Sequence, residues 1–339
     1  MAASTAVAAV VALALIAATR APGLDLRWRL VTGGPLVGAP VVTGDSVYVT
    51  TRDGSLVAAD AEQGRARWRF ETGEQVRTGP VVGSGLVYVS TESADGAGGH
   101  VYAVDGRTGA EQWRLNAEGV PVGAPAVSEG SVYVSAGDLV ALDALTGAER
   151  WRRTVVGAGA MGAGAGLALT TTPVGVVALD AATGDELWSW ASSAPPQVAP
   201  VVAGRSVVTD DGAGGVVSLS VTDGALRWRV PTAGLLQAPE VAGDRLVVAT
   251  ANGVVALETA SGEERWRVGP SDSDRLRVAS DGFSVAATST DVVILDAASG
   301  DDRGRAALAT STLAAPALAR GIAYVGAGDT VEAFVPPVS

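Results

Sequence analysis

The chain has no cysteine, no lysine and a single histidine, His100, among its 339 residues. Without cysteine there are no disulfides, no thiolate nucleophile and no Cys-based zinc site, and one histidine excludes a multi-His site. Apart from His100, every basic residue is therefore an arginine, and arginines are outnumbered: 36 Asp and Glu stand against 24 basic residues, a formal net charge of −12. Such a chain repels phosphate backbones, which argues against nucleic-acid partners. Motifs of hydrolases and nucleotide enzymes are missing too. There is no G-x-S-x-G, no H-E-x-x-H and no glycine loop leading into a helix. Clustered Asp, Asn and Glu of the kind that form a Ca²⁺ loop are also lacking.

What is present is apolar and turn-rich. Hydrophobic residues make up 47% and there are 44 glycines, enough for a large core broken by many tight turns. Ala2 to Thr19 is uncharged and almost wholly apolar, at the short end of what spans a bilayer. It reads as a signal peptide or membrane anchor over residues 1–20. No arginine precedes it and Ala17-Ala18-Thr19 is a poor cleavage site, which favours an anchor. The expected location is membrane-anchored or secreted, outside the cytoplasm.

Residues 21–339 repeat. Trp28, Trp68, Trp113, Trp151, Trp188, Trp228 and Trp266 follow one another at gaps of 40, 45, 38, 37, 40 and 38. One more step of 38 reaches Gly304, inside "VVILDAASGDDRG", a copy without its tryptophan. A period near 40 marks solenoids, propellers or arrays. Within a unit such as Ala39 to Phe70, four short apolar or alternating runs are separated by turns, as in "SVYVTT-RDG-SLVAAD". That is the grammar of four antiparallel strands, one propeller blade. Seven units are complete. The last copy, ending at Val335, has three strands, and "LDLRWRL" (Leu24 to Leu30) is a fourth strand with no partners of its own. The spacing thus predicts an all-β, eight-bladed propeller of four-stranded antiparallel blades, closed by the N-terminal strand pairing in the last blade.

The pattern A-x-D-x-x-T-G-x-x-x-W is complete in Ala103-Asp105-Thr108-Gly109-Trp113, Ala141-Asp143-Thr146-Gly147-Trp151 and Ala178-Asp180-Thr183-Gly184-Trp188. It resembles the tryptophan-docking motif of pyrroloquinoline-quinone-like propeller repeats, a family that includes quinoprotein alcohol dehydrogenases and an outer-membrane assembly lipoprotein. The resemblance covers roughly residues 24–335. It implies that each Trp stacks on a Gly peptide of the next blade while Asp and Thr cap the turn. It also implies, for the dehydrogenases, a quinone beside a carboxylate-held Ca²⁺. Here the inner strands read "APVV", "GPVV", "APAV", "APVV" and "APEV", with Glu240 the one charge in them. No cofactor and no metal site is expected, and no catalytic residue is assigned.

Binding residues are expected on the irregular loops, since loops on a rigid scaffold carry most recognition. Propeller topology puts inter-blade connections and second-to-third-strand hairpins on one face. Candidates there are Glu92, Asp95, His100, Asp210, Asp211, Asp272, Asp274 and Arg275. "GAGAMGAGAG", Gly157 to Gly166, reads as a flexible connector. The functional expectation is a non-catalytic cell-envelope scaffold for a protein, peptide or glycan, with contact to the membrane through the N-terminal segment. The alternatives are a quinone-dependent oxidoreductase and an extracellular sensor domain of a larger membrane protein.

Overall fold

The computed structural model describes residues 23–118, 123–269, 277–280, 283–287, 291–309 and 315–335. These form eight antiparallel sheets and, among the described residues, no helix. Blades 1 to 7 occupy residues 36–71, 75–118, 126–153, 161–191, 201–231, 240–268 and 277–307, each ordered from inner to outer strand as the chain runs. Blade 2 carries a broken inner strand, Gln75–Val76 and Val81–Gly83, both paired to Leu86–Glu92. Blade 8 combines Ala317–Ala319, Ile322–Ala327 and Thr330–Val335 with the outer strand Asp25–Val31, which runs antiparallel to Thr330–Val335. The predicted closure by the N-terminal strand is therefore what the fold uses.

Among the described residues the core is eight clusters of buried hydrophobic side chains, one at each seam between blades. The seam between blades 8 and 1 joins Tyr324 and Ala333 to Val47 and Val57 around Trp28. A blade has two apolar faces, so only a neighbour on each side removes both from water.

Each docking tryptophan spans a seam in the same way. Trp68 Nε1 donates to the Gly106 carbonyl of blade 2 at 3.0 Å, and a Cβ placed on Gly109 would fall 2.8 Å from the Trp68 ring. The pairs Trp113–Gly147, Trp151–Gly184, Trp188–Gly224, Trp228–Gly262 and Trp266–Gly300 repeat that contact. Trp28 makes it from blade 8 to Gly64 of blade 1. Glycine is required on two counts: Gly109 has φ of 75° and no room for a side chain. The turn is held by Asp105, whose Oδ1 accepts from Thr108 N at 2.7 Å and from its hydroxyl at 2.8 Å.

Two features were not anticipated. Tyr48, Tyr88, Tyr133 and Tyr324 reach the same carbonyls as the tryptophans: Tyr48 Oη donates to Gly106 O at 3.0 Å and Tyr88 Oη to Ala144 O at 3.0 Å. Four seams thus have a second buried donor. The other is the seam from blade 7 to blade 8, where Gly304 stands in for tryptophan. The tryptophan of one blade docks on the third-to-fourth-strand turn of the next, and in blade 8 those strands come from opposite ends of the chain, so no such turn joins them. Instead Leu24 N donates to Arg305 O of blade 7 at 3.0 Å, Gly23 forms a parallel bridge with Arg305, and Leu24 is buried.

Candidate functional site

The hairpins between second and third strands and the inter-blade connections share one face, the loop face. The D-x-x-T-G turns lie on the other. The outer strands between them are edged with arginine on both sides of the tryptophan, and most of these are consumed locally. Arg67 pairs with Asp45 and Asp60, Arg150 with Asp143, Arg265 with Glu258 and Arg303 with Asp296. Those hydrogen bonds from arginine hold the carboxyls of Asp143 and Asp296 down to about 2. Charged, paired edges discourage strand-to-strand association with other molecules.

On the loop face the expected residues separate. Asp95 is exposed, but its carboxylate caps its own turn, accepting from Ser93 Oγ at 2.6 Å and Ala97 N at 3.0 Å; the serine bond leads in lowering its pKa. Glu92 is ion-paired with Arg77. His100 is half-buried, with Nδ1 2.9 Å from Glu74 Oε2 and its ring 5.5 Å from that of Tyr102. Glu74 also accepts from the Thr91 hydroxyl, and despite the opposing effect of burial these bonds keep its carboxyl below the usual glutamate range. Together His100, Glu74 and Thr91 fasten the long hairpin of blade 2.

Asp210 and Asp211 do not decorate the face at all; both are buried. Asp210 accepts from the backbone N–H of Gln197, Val198 and Gly212 at 2.8 to 3.0 Å. Asp211 accepts from Ala213 N and Gly215 N at 2.8 Å and pairs with Arg229. Burial pushes the Asp211 carboxyl up, but these N–H groups and the guanidinium outweigh it and the net direction is down. In a glycine-rich hairpin the nearest acceptor for orphan backbone N–H groups is an aspartate, which explains the inward turn. Asp272, Asp274 and Arg275 lie outside the described residues.

Two more expectations change. Gly157 to Gly166 is not simply a connector: Met161–Gly164 is the inner strand of blade 4, paired to Leu167–Thr172. Its glycines serve close approach, since a Cβ on Gly162 would fall 2.0 Å from Pro200 O of blade 5. Glu240 heads the inner strand of blade 6 with no hydrogen-bond or ion-pair partner among the described residues, and burial alone raises its pKa to about 7.

A quinone with its Ca²⁺ needs several convergent polar groups. The described inner strands do not provide them. Gly38 and Gly79 pack backbone against backbone, Glu240 is the sole acid, and no group of three or more His, Cys, Asp or Glu among the described residues is arranged to hold a metal ion.

Repeat, ring and docking contacts agree with the family model PQQ_2, described as outer membrane protein assembly factor BamB, which matches residues 14–174 and again 173–330. The chain belongs to the PQQ_2 family. No curated protein sequence matches it. Several solved structures are similar in shape. BamB from Moraxella catarrhalis superposes with a TM-score of 0.71 at 17% identity, over 92% of this chain and 99% of that one. The computationally designed Ika8 protein gives 0.78 at 17% identity, over 92% and 100%. Quinohemoprotein alcohol dehydrogenase from Comamonas testosteroni gives 0.70 at 16%, over 93% of this chain and 78% of the enzyme. At such identities the likeness is one of fold.

What the sequence reading missed on the loop face is apolar. Val156 is 87% exposed and Val174 70% exposed. They sit in adjoining loops of blades 3 and 4, because Gly157 lies against the Pro173 ring, 2.6 Å from where its Cβ would be. A valine beside a turn glycine in both loops was the available signal.

Proposed function

We propose that this PQQ_2 propeller is a non-catalytic scaffold of the cell envelope that docks another protein on its loop face. The observation that carries the reading is the pair Val156 and Val174, two exposed apolar side chains on touching loops of a rigid frame. A lone exposed valine is ordinary, but adjacent ones on a fixed surface form an anchor that loses water on docking. The apolar run of residues 2–19 supplies the tether, with only Arg20, Ala21 and Pro22 before Gly23. The strand Asp25–Val31 starts at the turn face and finishes at the loop face, where Thr32 N donates to Asp329 O. A tether on its start leaves the loop face free for the partner. The family description and the likeness in shape to BamB support an envelope role of this kind.

The test is cross-linking in envelope fractions with the tagged full chain. Val156→Asp with Val174→Asp is expected to abolish a cross-link that the parent forms. Leu145→Asp, another exposed apolar position, on the turn face, should leave it intact. A cross-link unaffected by the double variant removes the reading.

A further inference from the structure

A recess opens on the loop face between blades 1 and 2. It holds about 240 Å³ and is lined by Val37, Arg52, Gln75, Val76 and Arg77. A wider recess of about 650 Å³ shares Arg52 and Gln75 with it. Together they fall in the size range of small-ligand and side-chain sites, on the order of 300–1,000 Å³.

The charges around this space are unevenly used. Asp53 accepts from the Thr51 hydroxyl, Glu74 from Thr91 and His100, and Glu92 is taken by Arg77. Arg52, exposed between them, makes no side-chain hydrogen bond or ion pair among the described residues, and neither does the exposed Gln75 amide. That contrasts with the rim, where an arginine typically finds an acid on its own strand or the next. The recess is thus left with N–H donors that have no acceptor among the described residues, beside the partly exposed Val37.

A guanidinium is a flat fork of donors whose complement is a flat carboxylate, and an amide N–H beside it adds a third contact. Val37, partly exposed at the wall of the recess, suits the methylene stem of an acidic side chain. At −12 the chain as a whole repels polyanions at long range, which favours one carboxylate gripped at short range over a phosphate polymer. We infer that this recess binds a glutamate or aspartate side chain of an extended peptide segment, with Arg52 and Gln75 as its donors. The site lies on blades 1 and 2, and neither its argument nor its test depends on the Val156–Val174 surface.

The experiment is an NMR titration of the ¹⁵N-labelled full chain, following the Arg52 Nε–H resonance, assigned by its loss in Arg52→Gln. The probes are the capped peptide acetyl-Val-Glu-Val-amide, its glutamine counterpart, galacturonate and inorganic phosphate. The glutamate peptide is expected to shift Arg52 saturably. Affinity should fall by about tenfold or more for the glutamine peptide and for the Arg52→Gln chain, as for loss of a charged hydrogen bond. Arg320→Gln, on the turn face, should bind as the parent does. Arg52→Gln should melt with the parent, because its guanidinium has no partner to lose. Equal binding of the glutamine peptide, or unchanged affinity in Arg52→Gln, overturns the inference. So does binding of galacturonate or phosphate without the peptide, which would assign the recess to a small anion.

Discussion

Arg29 and Glu332 face each other across the seam where the first and last strands of the chain meet. The guanidinium reaches Glu332 Oε1 at 2.6 Å through Nη2 and 2.8 Å through Nε, and the glutamate is 0% exposed. Its Oε2 has no hydrogen-bond partner among the described residues. Removing the arginine leaves a buried carboxylate with nothing to balance it. Arg29→Ala is expected to lower stability by about 1–3 kcal/mol, read from the urea midpoint. Glu332→Gln should cost less, because the amide carries no charge. Matching midpoints for Arg29→Ala and the parent would show that the pair does not hold the ring shut.

The tryptophan docks differ in their reserve. Trp68 shares its acceptor with Tyr48, whereas Trp228 donates to Thr259 O at 3.0 Å and Val208 holds the place of the tyrosine in its blade. Trp68→Ala should cost about 3 kcal/mol, near the low end for a large buried aromatic. Trp228→Ala should cost about 1 kcal/mol more, for the carbonyl left without a side-chain donor. Gly109→Ala should destabilise by about 1–3 kcal/mol through left-handed backbone and the clash with Trp68. Thermal melts of the three variants rank them.

The N-terminal strand does two jobs, completing blade 8 and covering blade 7 at Arg305. A chain beginning at Thr32 should lose its cooperative melt or self-associate through the bared edge of Thr330–Val335. A synthetic peptide of residues 23–31 should restore the melt. An unchanged cooperative melt of the chain beginning at Thr32 would mean that the ring does not need that strand.

Glu240 gives the fold a pH dependence. Burial raises its pKa from 4.5 to about 7, so the folded state holds a proton that the unfolded chain has released. Its contribution is present at low pH and is lost as pH rises from about 4.5 through about 7. The loss should be on the order of 1–3 kcal/mol, allowing for partial exposure to solvent. Glu240→Gln should match the parent at pH 4.5 and exceed it at pH 8 in urea unfolding. Parallel pH profiles would sink this assignment.

Much of this molecule could be read in its letters. The gaps between tryptophans gave the blade count, the unpartnered "LDLRWRL" gave the closure, and D-x-x-T-G gave the turn, because each depends on neighbours within one repeat or on a periodic match between repeats. The candidate site was less legible. Acidity in a loop suggested exposure, yet Asp210 and Asp211 turn inward to backbone N–H groups supplied by Gln197, Val198 and Gly215. Whether a carboxylate faces water or a peptide bond depends on where the backbone bends, which residue type does not encode.

The sequence by itself determined a ring of eight sheets and the residues that mortar it, since a repeated pattern of apolar strands and glycine turns has few ways to bury both faces of every sheet. Only the tertiary structure decided why blade 7 carries Gly304, which tyrosines second the tryptophans, and that Arg52 has no acid paired with it among the described residues. Those depend on distances between residues remote in the chain, and the free energy of a hydrogen bond or ion pair is set by that geometry.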